Sequence, residues 1–169
     1  GNIVGQYKAR AHGLRAIYYA VSVDHSRHLV GSFRAADIPA LHLDAQSTAA
    51  ERLDAAGALA DGRGSILCNV DLFGEGFDLA ASAGRDVNIE AVGLCRPTQS
   101  LTLHLQQCGR ALRPKPEPAI ILDHAGNLMR HGLPDDEPGL RKALGAHQVA
   151  RQPRRRPRVV EQGQCPVER

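Results

Sequence analysis

Apolar positions along the chain gather into short runs, and the polar stretches between them carry helical spacing. Residues 15–23, RAIYYAVSV, form a near-continuous apolar run, the pattern of a strand buried on both faces. Asp24 stands where a helix N-cap belongs, and Leu29, Val30 and Phe33 follow at helical spacing, predicting a helix over 25–35. IPALHL (38–43) is a second predicted strand. Ser47, with Ala50 three residues on and Glu51 beside it, makes an imperfect capping box that opens a helix through Ala60. Gly62 and Gly64 end that helix, and SILCNV (65–70), NIEAVGL (88–94) and AIILD (119–123) read as three further strands. Thr98 is the expected cap of a helix from Gln99 to Leu112.

Strand and helix therefore alternate over 15–123, and no predicted strand has a wet face. That order predicts an α/β domain: a mainly parallel sheet covered by helices on both faces through right-handed crossovers. Ligands of such sheets meet the loops at the carboxyl ends of the strands, here 24–27, 44–47, 71–87, 95–98 and 123–127.

Two stretches hold candidate chemistry. GEGFDL (74–79) places Gly74 and Gly76 around Glu75, so the backbone can approach a ligand closely, and Asp78 offers acceptors for a ribose hydroxyl or a basic partner. By itself it reads more readily as a plain turn with a capping Asp. QQCGRALRP (106–114) fits Q-x-x-G-R-x-x-R with Gln106, Gly109, Arg110 and Arg113. Four fixed positions recur by chance in about one chain in a thousand of this length, so the pattern merits a chemical reading. Arg110 and Arg113 share a helix face and can converge on one anion, or they can simply complement the helix dipole at its carboxyl end.

Composition narrows the field. The 169 residues suit one domain, and no apolar run approaches a membrane span. Three Tyr, three Phe and no Trp argue against a base-stacking platform. Cys68, Cys95, Cys108 and Cys165 contain no C-x-x-C pair, which points to a reducing, cytoplasmic setting, and the first three, in or beside apolar runs, read as buried small hydrophobes. The net charge of +3 is unevenly placed: six Arg and two Glu fall in 145–169, in a Pro-interrupted stretch that reads as a disordered basic tail, either solvated or phosphate-binding. His25 and His28 are one helical turn apart but lack a third ligand in sequence, Asp123 reads as a cap for the turn at His124, and Phe77 reads as core.

Taken in order on this β/α frame, the two motifs resemble the second RecA-like (helicase C-terminal) domain of superfamily 2 helicases, over about residues 15–133. Residues 16–52 look like the motif IV region, ILCNVDLFGEGFDLA (66–80) like motif V, and LCRPTQSLTLHLQQCGRALRP (94–114) like motif VI with its lead-in. The wording is closest to the DEAD/DEAH-like helicases of the excision-repair and restriction-translocase type. The resemblance implies a RecA-like three-layer fold over 15–145, preceded by a packing segment at 1–14 and followed by the tail at 146–169. It implies half of an ATP site, completed by an N-terminal RecA-like domain that supplies the phosphate loop and holds Mg2+. Arg110 and Arg113 would be the arginine fingers, Gln106 would orient the nucleotide or its water, and Gly76, Asp78 and Gly109 would lie against the nucleotide. Nucleic acid, DNA rather than RNA, would meet Arg96, Thr98 and Ser100, with the finger pair near the rim where the strands end. No Walker A string occurs, since the lysines are Lys8, Lys115 and Lys142. Ala80 replaces the family's usual Pro after G-F-D-L, and 80–88 reads as a loop insertion. The alternative is a degenerate or non-motor nucleotide- or protein-binding α/β module; a Rossmann enzyme is disfavoured because no G-x-G-x-x-G follows the first strand.

Overall fold

The apolar run near residue 15 becomes strand β1 (Ala16–Tyr19), buried at all four positions. A computed structural model describes residues 2–62, 66–70, 84, 87–134 and the backbone of 158–160. The remaining strands are β2 (Ala40–Leu43), β3 (Ile66–Asn69), β4 (Ala91–Leu94), β5 (Ile120–Asp123) and β6 (Arg158–Val160). The helices are α1 (Ile3–Arg10), α2 (Val23–Arg34), α3 (Ala49–Ala60), α4 (Leu101–Gly109) and α5 (Asn127–His131). The sheet order is β2-β3-β1-β4-β5-β6, and every described pairing is parallel. β1 sits centrally because it is sandwiched between β3 and β4 and so needs apolar side chains on both faces.

Alternation along β1 divides the core. Ile17 and Tyr19 join Ala56 and Leu59 of α3, Cys108 of α4 and Leu128 of α5 on one face. Ala16 and Tyr18 join Tyr7 of α1 and Leu29 and Phe33 of α2 on the other. The expected three-layer α/β architecture is thus present. On the second face, Phe33 meets Tyr18 at 5.0 Å and Tyr7 at 5.6 Å, both edge-on, tying α1 and α2 to the central strand. Truncating such a fully buried ring costs about 3–5 kcal/mol.

The caps differ from the sequence expectation by one or two residues. Ser22, not Asp24, caps α2: its backbone is extended and its hydroxyl accepts the His25 N–H at 3.2 Å, leaving Asp24 in the first turn, where the dipole favours it. Thr48, not Ser47, opens α3 with a complete capping box, accepting from Glu51 N–H at 3.2 Å while the Glu51 carboxylate accepts the Thr48 N–H at 2.7 Å. Ser47 is instead taken by Asp44, whose N–H its hydroxyl accepts at 2.9 Å. Ser100, not Thr98, caps α4, because Thr98 is buried under α5. The anticipated N-terminal helix is α1, and no helix among the described residues is long and apolar enough to cross a membrane. Of the tail expected to be disordered, Arg158–Val160 pairs with β5 as β6, while 146–157 and 161–169 lie outside the described residues.

Candidate functional site

Helix α4 carries the first part of the Q-x-x-G-R-x-x-R pattern and ends at Gly109, short of the expected Leu112, with Arg110 as its C-cap and Arg113 beyond it; its two sides have opposite characters. His104, Leu105, Gln107, Cys108 and Ala111 are buried against the sheet. Gln106 and Gly109 are exposed on the outer side of the helix, Arg110 is half-buried at its cap and Arg113 is exposed just past it, so the polar stripe runs off the trailing end of α4. The buried side is anchored at three points. The Tyr19 hydroxyl donates to the Gln107 carbonyl at 3.3 Å, the His104 ring nitrogen bonds the Gly132 carbonyl at 3.3 Å, and Lys115 Nζ donates to the carbonyls of Ile89 and Ala111. Burial pushes the Tyr19 phenol up strongly, and the positive charge of Arg110 opposes that rise, so this guanidinium lies within electrostatic reach of the end of β1.

The last turn of α4 tightens, with Ala111 N–H to Cys108 O at 3.1 Å and Leu112 N–H to Gly109 O at 3.3 Å. Gly109 has no backbone reason to be glycine: its φ is not positive, and a Cβ there meets nothing within 4 Å. A glycine in a helix costs about 1 kcal/mol relative to alanine, so the open space above it is a candidate contact surface. The stripe's donors are an amide and two guanidinium groups with no carboxylate among them, a set that fits phosphate oxygens and not a metal ion.

The location corrects the expectation. α4 begins after β4 at the carboxyl rim and runs back, so that Lys115 joins its trailing end to Ile89, just before β4 begins. The trailing end of α4 therefore lies toward the amino ends of the strands, because a crossover helix runs antiparallel to the strands it connects, while the Arg110 guanidinium stays within electrostatic reach of Tyr19 at the carboxyl end of β1. The helix end that carries the arginine cap is thus set back from the rim where the strands end.

At that rim, Asn127 organises the 95–100 loop, which holds Arg96, Thr98 and Ser100. Its side chain accepts the Thr98 N–H at 3.0 Å and donates to the Arg96 carbonyl at 2.8 Å, while the Thr98 carbonyl takes Arg130 at 3.2 Å and His131 at 2.8 Å. The Thr98 hydroxyl accepts from Ser100 N–H and the Ser100 hydroxyl from Leu103 N–H, so both side chains serve the loop and the cap. Arg96 is half-buried. β1 and β4 are neighbours whose following helices, α2 and α4, lie on opposite faces, which opens a crevice beside this loop. Gly76, Asp78 and Phe77 lie outside the described residues.

Sequence reasoning missed a polar line at the end of β2. The Ser26 hydroxyl meets His42 Nδ1 at 2.7 Å, and His42 Nε2 meets Asp44 at 3.1 Å. Burial pushes the Asp44 carboxyl up, but bonds from His42, the Gln46 N–H and Ser47 outweigh it and hold it below the usual range. The order of groups looks like a nucleophile relay, yet Ser26 is 0% exposed, so the line braces α2 against β2. No sequence signal could have found it, since its members lie 16 and two residues apart on different elements.

Asp123 caps as expected, accepting Ala125 N–H at 3.0 Å and Leu128 N–H at 2.8 Å. Cys68, Cys95 and Cys108 are buried, and burial raises the thiols of Cys95 and Cys108 to about 12, which leaves them inert. No group of metal-ligating side chains occurs among the described residues, His25 and His28 included.

No family model matches the chain. It is 42% identical over 136 residues to a 51.5 kDa protein of Lactococcus phage (isolate 7-9), an alignment covering 80% of this chain and 28% of that protein. Among solved structures, it resembles the E. coli DEAD-box protein SrmB bound to regulator of ribonuclease activity A (RraA), with a TM-score of 0.61 and 20% identity over 76% of this chain and 72% of that one. It also resembles Mss116p DEAD-box helicase domain 2 bound to an RNA duplex, with a TM-score of 0.54 and 20% identity over 95% of this chain and 57% of that one. The fold is the RecA-like α/β fold of these domains.

Proposed function

We propose that this RecA-like domain is the second motor domain of an ATP-dependent superfamily 2 helicase or translocase, of the excision-repair and restriction type, acting on DNA. The observation that carries the reading is the stripe at the trailing end of α4: Gln106 and Gly109 exposed on a helix whose other side is used by the core, with Arg110 at its cap and Arg113 exposed just beyond. A stripe set back from this sheet's own carboxyl rim suits a ligand delivered by a second fold rather than held by this one. The chain has no phosphate loop of its own, so the neighbouring N-terminal RecA-like domain supplies the triphosphate and its Mg2+.

Docking of that domain removes water from the stripe, and the two guanidinium groups then neutralise charge developing on the transferred phosphoryl. Gln106 orients the nucleotide or the attacking water, and Gly109 lets the backbone stay close. Gly76 and Asp78 contact the ribose side. Nucleic acid crosses the rim over the 44–48 and 95–100 loops, where Arg96 supplies charge and Thr98 and Ser100 hold the loop's shape. The fold likeness supports a helicase-type domain, and the DNA preference rests on the motif wording. A non-motor module is the alternative, favoured by the placement of Arg110 as the C-cap of α4, where its charge also suits the dipole.

ATP hydrolysis by the 169-residue chain alone, and by a longer polypeptide carrying the phosphate-binding half, separates the two. The expected results are negligible turnover by the isolated chain and a kcat lowered about 10³-fold or more by Arg113→Ala in the longer polypeptide. Turnover by the pure isolated chain, or wild-type turnover by Arg113→Ala, overturns the motor reading.

A further inference from the structure

Strand β2 is an edge of the sheet, bonded only to β3. Its inward-facing backbone groups belong to odd-numbered residues: the Pro39 carbonyl accepts from Ile66 N–H at 3.1 Å and the Leu43 carbonyl from Val70 N–H at 3.4 Å. Ladder alternation then aims the N–H and C=O groups of Ala40, His42 and Asp44 outward. Two of these positions are blunted from within, since Arg34 Nε donates to the Ala40 carbonyl at 2.9 Å and the Asp44 N–H goes to Ser47. Between them, the His42 N–H and C=O face a cleft of about 460 Å³.

That cleft lies between helices on opposite faces of the sheet. Its α2 wall presents the exposed Arg27 and Arg34, and its α3 wall the exposed Glu51 and Asp54. A strand laid along β2 sends alternate side chains to opposite faces, so every second residue would meet arginines and the intervening ones carboxylates. We propose that the β2 cleft binds an extended segment of a partner protein in which acidic and basic residues alternate, added to the sheet as an outer strand through the His42 backbone.

Two further observations point the same way. Gly31 lines the cleft from within α2, where its φ is not positive and a Cβ would meet nothing within 4 Å, so the helix carries a glycine that its own packing does not require. The Ser26–His42–Asp44 line holds the edge rigid, which lowers the ordering cost of strand addition. A second copy is the poorer occupant. Antiparallel pairing of two β2 edges about an axis normal to the sheet sets arginine wall against arginine wall and carboxylate against carboxylate.

The test is fluorescence anisotropy of a labelled octapeptide of alternating Glu and Lys titrated with the 169-residue chain. Saturable binding is expected. Binding should be at least about tenfold weaker for a block peptide of the same composition and for a peptide N-methylated at its central residues, which cannot complete the backbone bonds. Gly31→Gln should weaken binding comparably without lowering the thermal midpoint, because it fills the cleft while improving helix propensity. Failure of the alternating peptide to saturate, equal binding of the block or N-methylated peptide, or full affinity in Gly31→Gln overturns the proposal. So does concentration-dependent dimerisation through this edge in sedimentation velocity, which assigns it to a second copy. None of these readings involves ATP, so they stand or fall apart from the motor reading.

Discussion

Gly93 shows how much one hydrogen atom can carry. It is the register partner of Tyr18, whose ring lies across it so closely that a Cβ would sit 2.2 Å from the ring carbons. Gly93→Ala should therefore cost about 1–3 kcal/mol, read as a lowered midpoint in chemical denaturation; an unchanged midpoint would mean that the ring can swing aside. Two histidines make stability depend on pH. Burial lowers the pKa of His104, with the charge of His131 adding to that and the Gly132 carbonyl opposing it; burial also lowers His124, against the attraction of Asp123. Both rings bind fewer protons folded than unfolded below the ordinary value of 6.5, so stability is complete above that pH and lost as pH falls beneath it. The thermal midpoint should drop as pH falls below about 6.5, and His104→Leu should flatten that slope. An identical slope in the variant would assign the acid sensitivity elsewhere.

At the scale of an element, α4 is a helix whose inner side serves the core and whose outer side, with Gln106 and Gly109, faces solvent. Its trailing end is held by Lys115, whose ammonium is half-buried between two carbonyls and has its pKa lowered by that burial. This clamp sets the direction of the stripe bearing Arg110 and Arg113. Gly109→Ala separates stability from function here. It should raise unfolding free energy by up to about 1 kcal/mol, yet lower ATP turnover in the polypeptide that carries both motor domains. Stabilisation with undiminished turnover would show that nothing approaches Gly109. Gly31 of α2 obeys the same logic at the β2 edge, where a helix forgoes propensity beside a cleft.

Across the whole molecule, charge and surface are divided by region. The helix layers flank a sheet whose carboxyl rim carries the hydrogen-bonded 44–47 and 95–100 loops, and the arginine stripe sits on one layer at the trailing end of α4. The residues at 145–169 add a separate positive charge, with six Arg against two Glu. If Arg154, Arg155 and Arg156 contact phosphates, replacing them with Gln should flatten the slope of log K against log salt for duplex DNA by up to about 0.9 per lost contact. An unchanged slope would mean that these charges are solvated. The substitution spares Arg158–Val160, so the strand that closes the β5 edge stays intact.

Hydrophobic periodicity by itself determined that β1 to β5 exist, in order, and that they form a covered parallel sheet, because strands buried on both faces admit almost no polar residue at Ile17, Ile66 or Ile121. It also determined that Gln106 and Gly109 share the outer helix face, since that follows from 3.6 residues per turn, whereas the helix end at Gly109, which leaves Arg113 beyond it, was decided by the structure. Cap positions were legible only to within two residues: Ser22 and Asp24, Ser47 and Thr48, or Thr98 and Ser100 offer the same oxygen chemistry, and local backbone geometry chooses between them. Tertiary structure alone decided that the trailing end of α4 is set back from the carboxyl rim, that Thr98 is spent on Asn127, and that Ser26, His42 and Asp44 align. It alone made β2 an edge between walls of opposite charge. Such facts depend on which strands become neighbours, and that is settled by the joint packing of segments far apart in the chain, where no local pattern reaches.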